Sequence, residues 1–134
     1  MILMHYYTLK AYLSHCFHGK DLEVLKYFLG VEVARNSRGI LLCQGKYALD
    51  VIQETGLLGA KLVSTPLEQN HELGLATRSP LDQPRRYRRL VGRLIDLGFT
   101  KPDISYSDYT LLQFMQQPRV DHWNAALRIV KYLK

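Results

Sequence analysis

The sequence predicts an α+β fold, with an N-terminal helix, a β-hairpin and then a mostly helical portion. Three observations predict it. Apolar residues recur at three- and four-residue steps near the N-terminus, a β-branched and aromatic run turns back on itself through a polar Gly-containing loop, and helical periodicity returns over the last fifty or so residues.

Each element has its own residues. Leu9, Tyr12, Leu13, Cys16 and Phe17 share one helical face, and Gly19 is the expected stop. Leu25 to Ala34 reads as one strand, Arg35-Asn36-Ser37-Arg38-Gly39 as the turn, and Ile40 to Cys43 as the returning strand. Lys46 to Thr55 carries Tyr47, Val51 and Ile52 on one side and stops at Gly56, which predicts a short helix. Val63 to Pro84 holds Pro66, Gly74, Pro80 and Pro84 among polar residues and reads as a long loop or linker. Pro84 to Phe99 then places Tyr87, Leu90, Val91, Leu94, Leu97 and Gly98 on one side, with Arg85, Arg89, Arg93 and Asp96 opposite. Thr100-Lys101-Pro102-Asp103 is a helix-start pattern, predicting a second helix to about Gln117, before Pro118. A third presents Trp123, Ala126, Leu127, Val130 and Leu133 at helical spacing. The chain thus divides into 9–62, a linker at 63–84 and a helical part at 85–134.

Composition bounds the rest. The 134 residues fit one domain that would bury roughly two-thirds of its unfolded surface. A hydrophobic content of 47% with 22% charged residues is that of a globular chain. The net charge of +6 predicts sequence-independent attraction to polyanions. No apolar run approaches the roughly 20 residues a membrane helix needs, so no membrane partner is expected. Met1 to Leu9 reads as no secretory signal, and a reducing intracellular location is the expectation. Cys16 and Cys43 lie too far apart in the chain for a CxxC motif, and Cys16 beside His15 and His18 reads as coincidence rather than a metal cluster.

The densest chemical signal is Arg85, Arg86, Arg88, Arg89 and Arg93, five guanidinium groups within nine residues and no acid until Asp96. Such a face suits phosphate oxygens, and its rival reading is a solvated helix face, with Asp96 partly neutralising Arg93 through a surface pair. Tyr6, Tyr7, Tyr27, Phe28, Tyr47, Tyr106, Tyr109 and Trp123 could stack on bases, but most sit on apolar periodic faces, where core packing is expected. A nucleotidyl transferase needs at least two close carboxylates to hold its metal ions. The twelve acids are scattered, and no GxSxG, HExxH, P-loop or GxGxxG motif is present. No catalytic residue is assigned.

Five ordered blocks carry a resemblance: Leu25-Lys26-Tyr27-Phe28-Leu29-Gly30-Val31-Glu32-Val33, after Lys20-Asp21-Leu22 and before Gln44 to Asp50; Tyr87 to Ile95; Lys101 to Tyr106; Gln113-Phe114-Met115; and Ala125 to Lys134. Together, over Leu9 to Lys134, they resemble the Copia-type (Ty1/copia) reverse transcriptase of plant retrotransposons; Met1 to Tyr7 falls outside the resemblance. The resemblance implies that Phe28, Leu29 and Gly30 belong to the hairpin that positions the primer terminus, and that the arginine-rich helix belongs to the polymerase thumb. The implied partners are an RNA–DNA template-primer and a polymerase palm or other polypeptide. The intact family enzyme would need divalent metal, whereas its Tyr-Val-Asp-Asp box is absent here, so this chain is expected to need no cofactor and to be no enzyme as it stands. Asp96 stands where that family usually has Tyr, Gly19 where an apolar residue is usual, and Asp108 where Val is common. Asp108 shares a helical stripe with Ile104, Leu111 and Met115, which predicts a carboxylate on an apolar face. Two rival readings are a helical protein-interaction module and an inert relic of a truncated transposable element.

Overall fold

The computed structural model describes residues 2–134. It is α+β, as the periodicities predict. Helix α1 (Ile2–Cys16) is followed by strands β1 (Tyr27–Phe28), β2 (Val31–Asn36) and β3 (Gly39–Cys43), then α2 (Gly45–Glu54), α3 (Pro84–Gly98), α4 (Ser105–Leu112) and α5 (Val120–Leu133).

The strands form one antiparallel sheet in the order β1-β2-β3, so the expected hairpin is a meander. The run read as a single strand from Leu25 to Ala34 is broken at Leu29 and Gly30, whose φ angles are 50° and 83°. Positive φ at both central residues is the mark of a type I′ turn, and it reverses the chain so that Phe28 pairs with Val31. The second turn follows the sequence: Asn36 pairs with Gly39, and the Asn36 side-chain oxygen accepts from the amides of Arg38 and Gly39.

Helix α1 begins at Ile2, well before Leu9, and buries no residue. No described residue covers its apolar side chains, and Leu9, Tyr12, Leu13 and Phe17 remain exposed. Helix α2 buries Ala48, Val51 and Ile52 and ends in a Schellman motif. Gly56, at φ 71°, donates to the Gln53 carbonyl at 3.0 Å, and Leu57 donates to that of Ile52 at 3.2 Å.

The core lies under α3, whose Tyr87, Leu90, Val91, Leu94 and Leu97 are buried against α2, α4 and α5. The Tyr87 hydroxyl donates to the Leu111 carbonyl at 2.7 Å, and burial pushes its phenol up. That bond also explains why the expected helix from Thr100 to Gln117 is shorter. It opens with a 3₁₀ turn at Pro102–Ile104, and α4 stops at Leu112. Leu111 gives its carbonyl to Tyr87 and to the Phe114 amide, while the Met115 and Gln116 carbonyls accept from Arg88 at 2.8 and 3.2 Å. With these acceptors turned toward α3, the α-helical ladder cannot continue.

The polar stretch before α3 lies against α5. Leu67 is buried, Leu81 donates to Pro118 at 2.9 Å, and Val120 donates to Ser79 at 3.2 Å. His122, also buried, accepts from the Arg119 amide through Nδ1 at 2.9 Å, donates through Nε2 to the Leu73 carbonyl at 2.9 Å and stacks on Phe114 with ring centroids 3.9 Å apart. One side chain thus holds three segments.

Asp108 is 3% exposed, as its place on the apolar stripe predicts. Neither carboxylate oxygen has a hydrogen-bond partner among the described residues. Burial pushes its carboxyl from the ordinary 3.8 up to about 7. Below about pH 4 the group is neutral folded and unfolded, so it carries no charge penalty. Between pH 4 and 7 only the unfolded chain releases the proton, and stability falls by at most about 4 kcal/mol in total. Asp108→Val is therefore expected to raise stability at both pH values, and by about 3 kcal/mol more at pH 8 than at pH 4. Urea unfolding of both chains at the two pH values measures this, and an equal gain at both would show that charge is not the cause.

Candidate nucleic-acid interface

Tyr47, on the first turn of α2, connects the two groups of residues singled out in the sequence. Gly30 lies against its ring: a Cβ at Gly30 would stand 3.3 Å from Tyr47 Cδ2. The turn thus needs glycine both for its φ of 83° and for its close approach to the ring. The Arg93 guanidinium lies over the same ring, 4.9 Å from its centroid, and the Tyr47 hydroxyl donates to Asp96 Oδ2 at 3.2 Å. Burial pushes the Tyr47 phenol up. Phe28 and Leu29, beside Gly30, are 48% and 82% exposed, so the turn holds two apolar side chains in solvent. Leu29 does so at positive φ, a backbone state costing a branched residue about 1–2 kcal/mol.

The five arginines divide by task. Arg88 anchors the α4–α5 connection through the Met115 and Gln116 carbonyls. Arg93, with 19% of its side chain exposed, pairs with Glu54. The expected Arg93–Asp96 pair gives way to this one because α2 runs alongside and Asp96 is held by Tyr47. Arg89 reaches the same Glu54 at 3.3 Å but keeps 72% of its side chain exposed. Glu54 is held below the usual carboxylate range by its bond to Arg93. Arg86 lies over the Trp123 ring at 5.4 Å, and Arg85 is exposed and in no ion pair among the described residues. Arg88 is exposed too, and Arg85, Arg86 and Arg89 are the exposed arginines not tied to a backbone carbonyl among the described residues, with the Glu54 carboxylate at their edge.

The aromatic residues are more exposed than their periodicity predicts. Tyr6, Tyr7, Tyr27, Phe28, Tyr106 and Tyr109 all face solvent. Among the described residues no other element buries them. Among the described residues no three His, Cys, Asp or Glu side chains gather where they could hold a metal ion. Nor, among them, is any helix long and apolar enough to cross a membrane. Sequence reasoning passed over Glu54 and the bridging role of Tyr47, because both depend on α2 lying beside α3, a contact that no local pattern encodes.

Comparison with known proteins places these features in context. The chain is 44% identical over 127 residues, 95% of its length, to the retrovirus-related Pol polyprotein from transposon RE2 of Arabidopsis thaliana, covering 9% of that protein. It is 44% identical over 121 residues to the Pol polyprotein from transposon RE1 of the same plant, covering 90% of this chain and 8% of that one. An uncharacterized mitochondrial protein of Arabidopsis thaliana is 35% identical over 122 residues, 91% of this chain and 50% of the relative. The chain therefore corresponds to a segment of retrotransposon Pol polyproteins and spans under a tenth of the two polyproteins' length. No protein-family model matches it. No solved structure matches it either.

Gly30→Ala should cost about 1–2 kcal/mol in how well the sheet holds to α2, since it strains both backbone and contact. Hydrogen exchange is expected to quicken across residues 27–43 while the α3 amides keep their protection. Uniform loss of protection would mean that sheet and helices form one cooperative unit.

Proposed function

We propose that the chain is the primer-grip hairpin and thumb part of a Copia-type reverse transcriptase, and that it contacts an RNA–DNA template-primer without performing chemistry. The observation that carries this reading is the Gly30–Tyr47–Arg93 stack, which braces the Phe28-Leu29-Gly30 turn and the cationic helix as one surface. Similarity to transposon Pol polyproteins over nearly the whole chain supports the same reading. The turn offers exposed apolar side chains for sugar and base edges, and Arg85, Arg86 and Arg89 offer guanidinium groups to phosphates. The exposed apolar faces of α1 and of the sheet suit a polymerase palm supplied by further polypeptide. Those same faces favour the second reading, a protein-interaction module.

Salt separates the two. If three arginines meet phosphates, the log–log slope of duplex affinity against salt should be about −3. Arg85→Ala, Arg86→Ala and Arg89→Ala together should flatten it markedly while leaving the fold intact, because the anchoring Arg88 is untouched. A folded chain that does not bind the duplex, or binds it with no salt dependence, contradicts the nucleic-acid role and favours the interaction module. Glu54→Gln, which frees Arg89 and Arg93, should strengthen duplex binding a few-fold in the same titration.

A further inference from the structure

A cleft of about 350 Å³ opens between α2, α3 and α5, lined by Glu54, Arg86, Arg89, Leu90, Arg93 and Trp123. Its floor is apolar, with Leu90 buried and Trp123 partly exposed, and its rim is cationic. Arg86 and Arg89 stand three residues apart on α3, so their side chains are neighbours on the helix surface. Arg86 is exposed and in no ion pair among the described residues, and Arg89 keeps 72% of its side chain exposed. Glu54 is the one carboxylate facing these three guanidinium groups, and Arg93 holds it, so positive charge is left over. A second cleft of about 230 Å³, at Pro80, Gln83 and Val120, also borders Arg86 and Trp123, so that pair is open to solvent from both.

An aromatic floor beside exposed guanidinium groups matches a ligand that joins a planar ring to an anion. A free phosphate or an acidic side chain would use the rim and leave the floor empty. A duplex would leave it empty too, because each paired base is stacked on both faces and offers neither to a side chain. The Arg86 guanidinium, 5.4 Å from the Trp123 ring centroid, is itself a plane on which a base stacks. We propose that this cleft is a subsite for one unpaired nucleotide of a single strand, its base stacked at the Trp123–Arg86 pair and its phosphate held by Arg89. The subsite rests on the reading of α3 as a nucleic-acid surface, and it gives that surface a hold on the strand outside the duplex.

Trp123 is the one tryptophan of the chain, so tryptophan fluorescence reports on this cleft. The full chain is titrated with oligothymidylate about eight nucleotides long, and with an abasic strand of equal length that carries the same phosphates without bases. Oligothymidylate should quench Trp123 saturably and bind about tenfold more tightly than the abasic strand. Trp123→Leu, which keeps the partly buried position apolar, should abolish that preference when binding is followed by anisotropy of labelled strands, and Arg89→Ala should weaken both strands alike. The quenching comparison uses the unaltered chain, so it decides the matter even where Trp123→Leu does not fold. Equal affinity for the two strands, binding of neither, binding without quenching, or a preference surviving in folded Trp123→Leu would overturn the subsite. So would a phosphotyrosine peptide that quenches Trp123 and binds more tightly than oligothymidylate. Blunt RNA–DNA duplex, titrated in parallel, separates this subsite from the template-primer role. Salt-dependent duplex binding with no preference for bases would overturn the subsite alone, whereas base-dependent quenching without duplex binding would uphold the subsite and overturn the template-primer role.

Discussion

Burial of Tyr87, Leu90, Val91, Leu94 and Leu97 along one side of α3 constrains nearly everything else in the chain. Because α2, α4 and α5 all pack against that side, the opposite side is left to the arginines. Tyr87 sets where α4 ends by taking the Leu111 carbonyl, and Arg88, one residue on, bonds the Met115 and Gln116 carbonyls. The cationic surface and the core are thus two consequences of one amphipathic helix. Replacing a core residue of α3 would displace the arginines as well.

Much of this was legible in sequence, for identifiable reasons. The periods of α2, α3 and α5 are strong because their buried faces meet other elements of the same chain, and Gly56 stops α2 as a left-handed cap should. Asp108 was visible as a charge on an apolar stripe, since helical spacing alone puts it beside Leu111. The break at Leu29 was hidden because a branched residue at positive φ runs against local preference, and only the pairing of Phe28 with Val31 reveals it. The shortened α4 was hidden because its carbonyls are captured by side chains more than twenty positions away in sequence. Likewise, counting arginines could not separate Arg88, held on carbonyls, from Arg85 and Arg89, which face solvent.

The N-terminal part behaves differently. Helix α1 and the outer faces of the sheet carry apolar side chains that remain exposed among the described residues. The link from the sheet to the helical core runs through the contact of Gly30 with Tyr47 and the polar contact of Gln44 with Thr100 at 2.7 Å.

The most direct test of the central claim, that the outward arginines of α3 meet a template-primer while its other arginines hold the fold, is NMR of the arginine Nε–Hε groups during titration with RNA–DNA duplex. The account predicts that the Arg85, Arg86 and Arg89 signals move with duplex while that of Arg88, bonded to the Met115 carbonyl, stays in place. Movement of Arg88 alongside the others, or of none of the three, would contradict it.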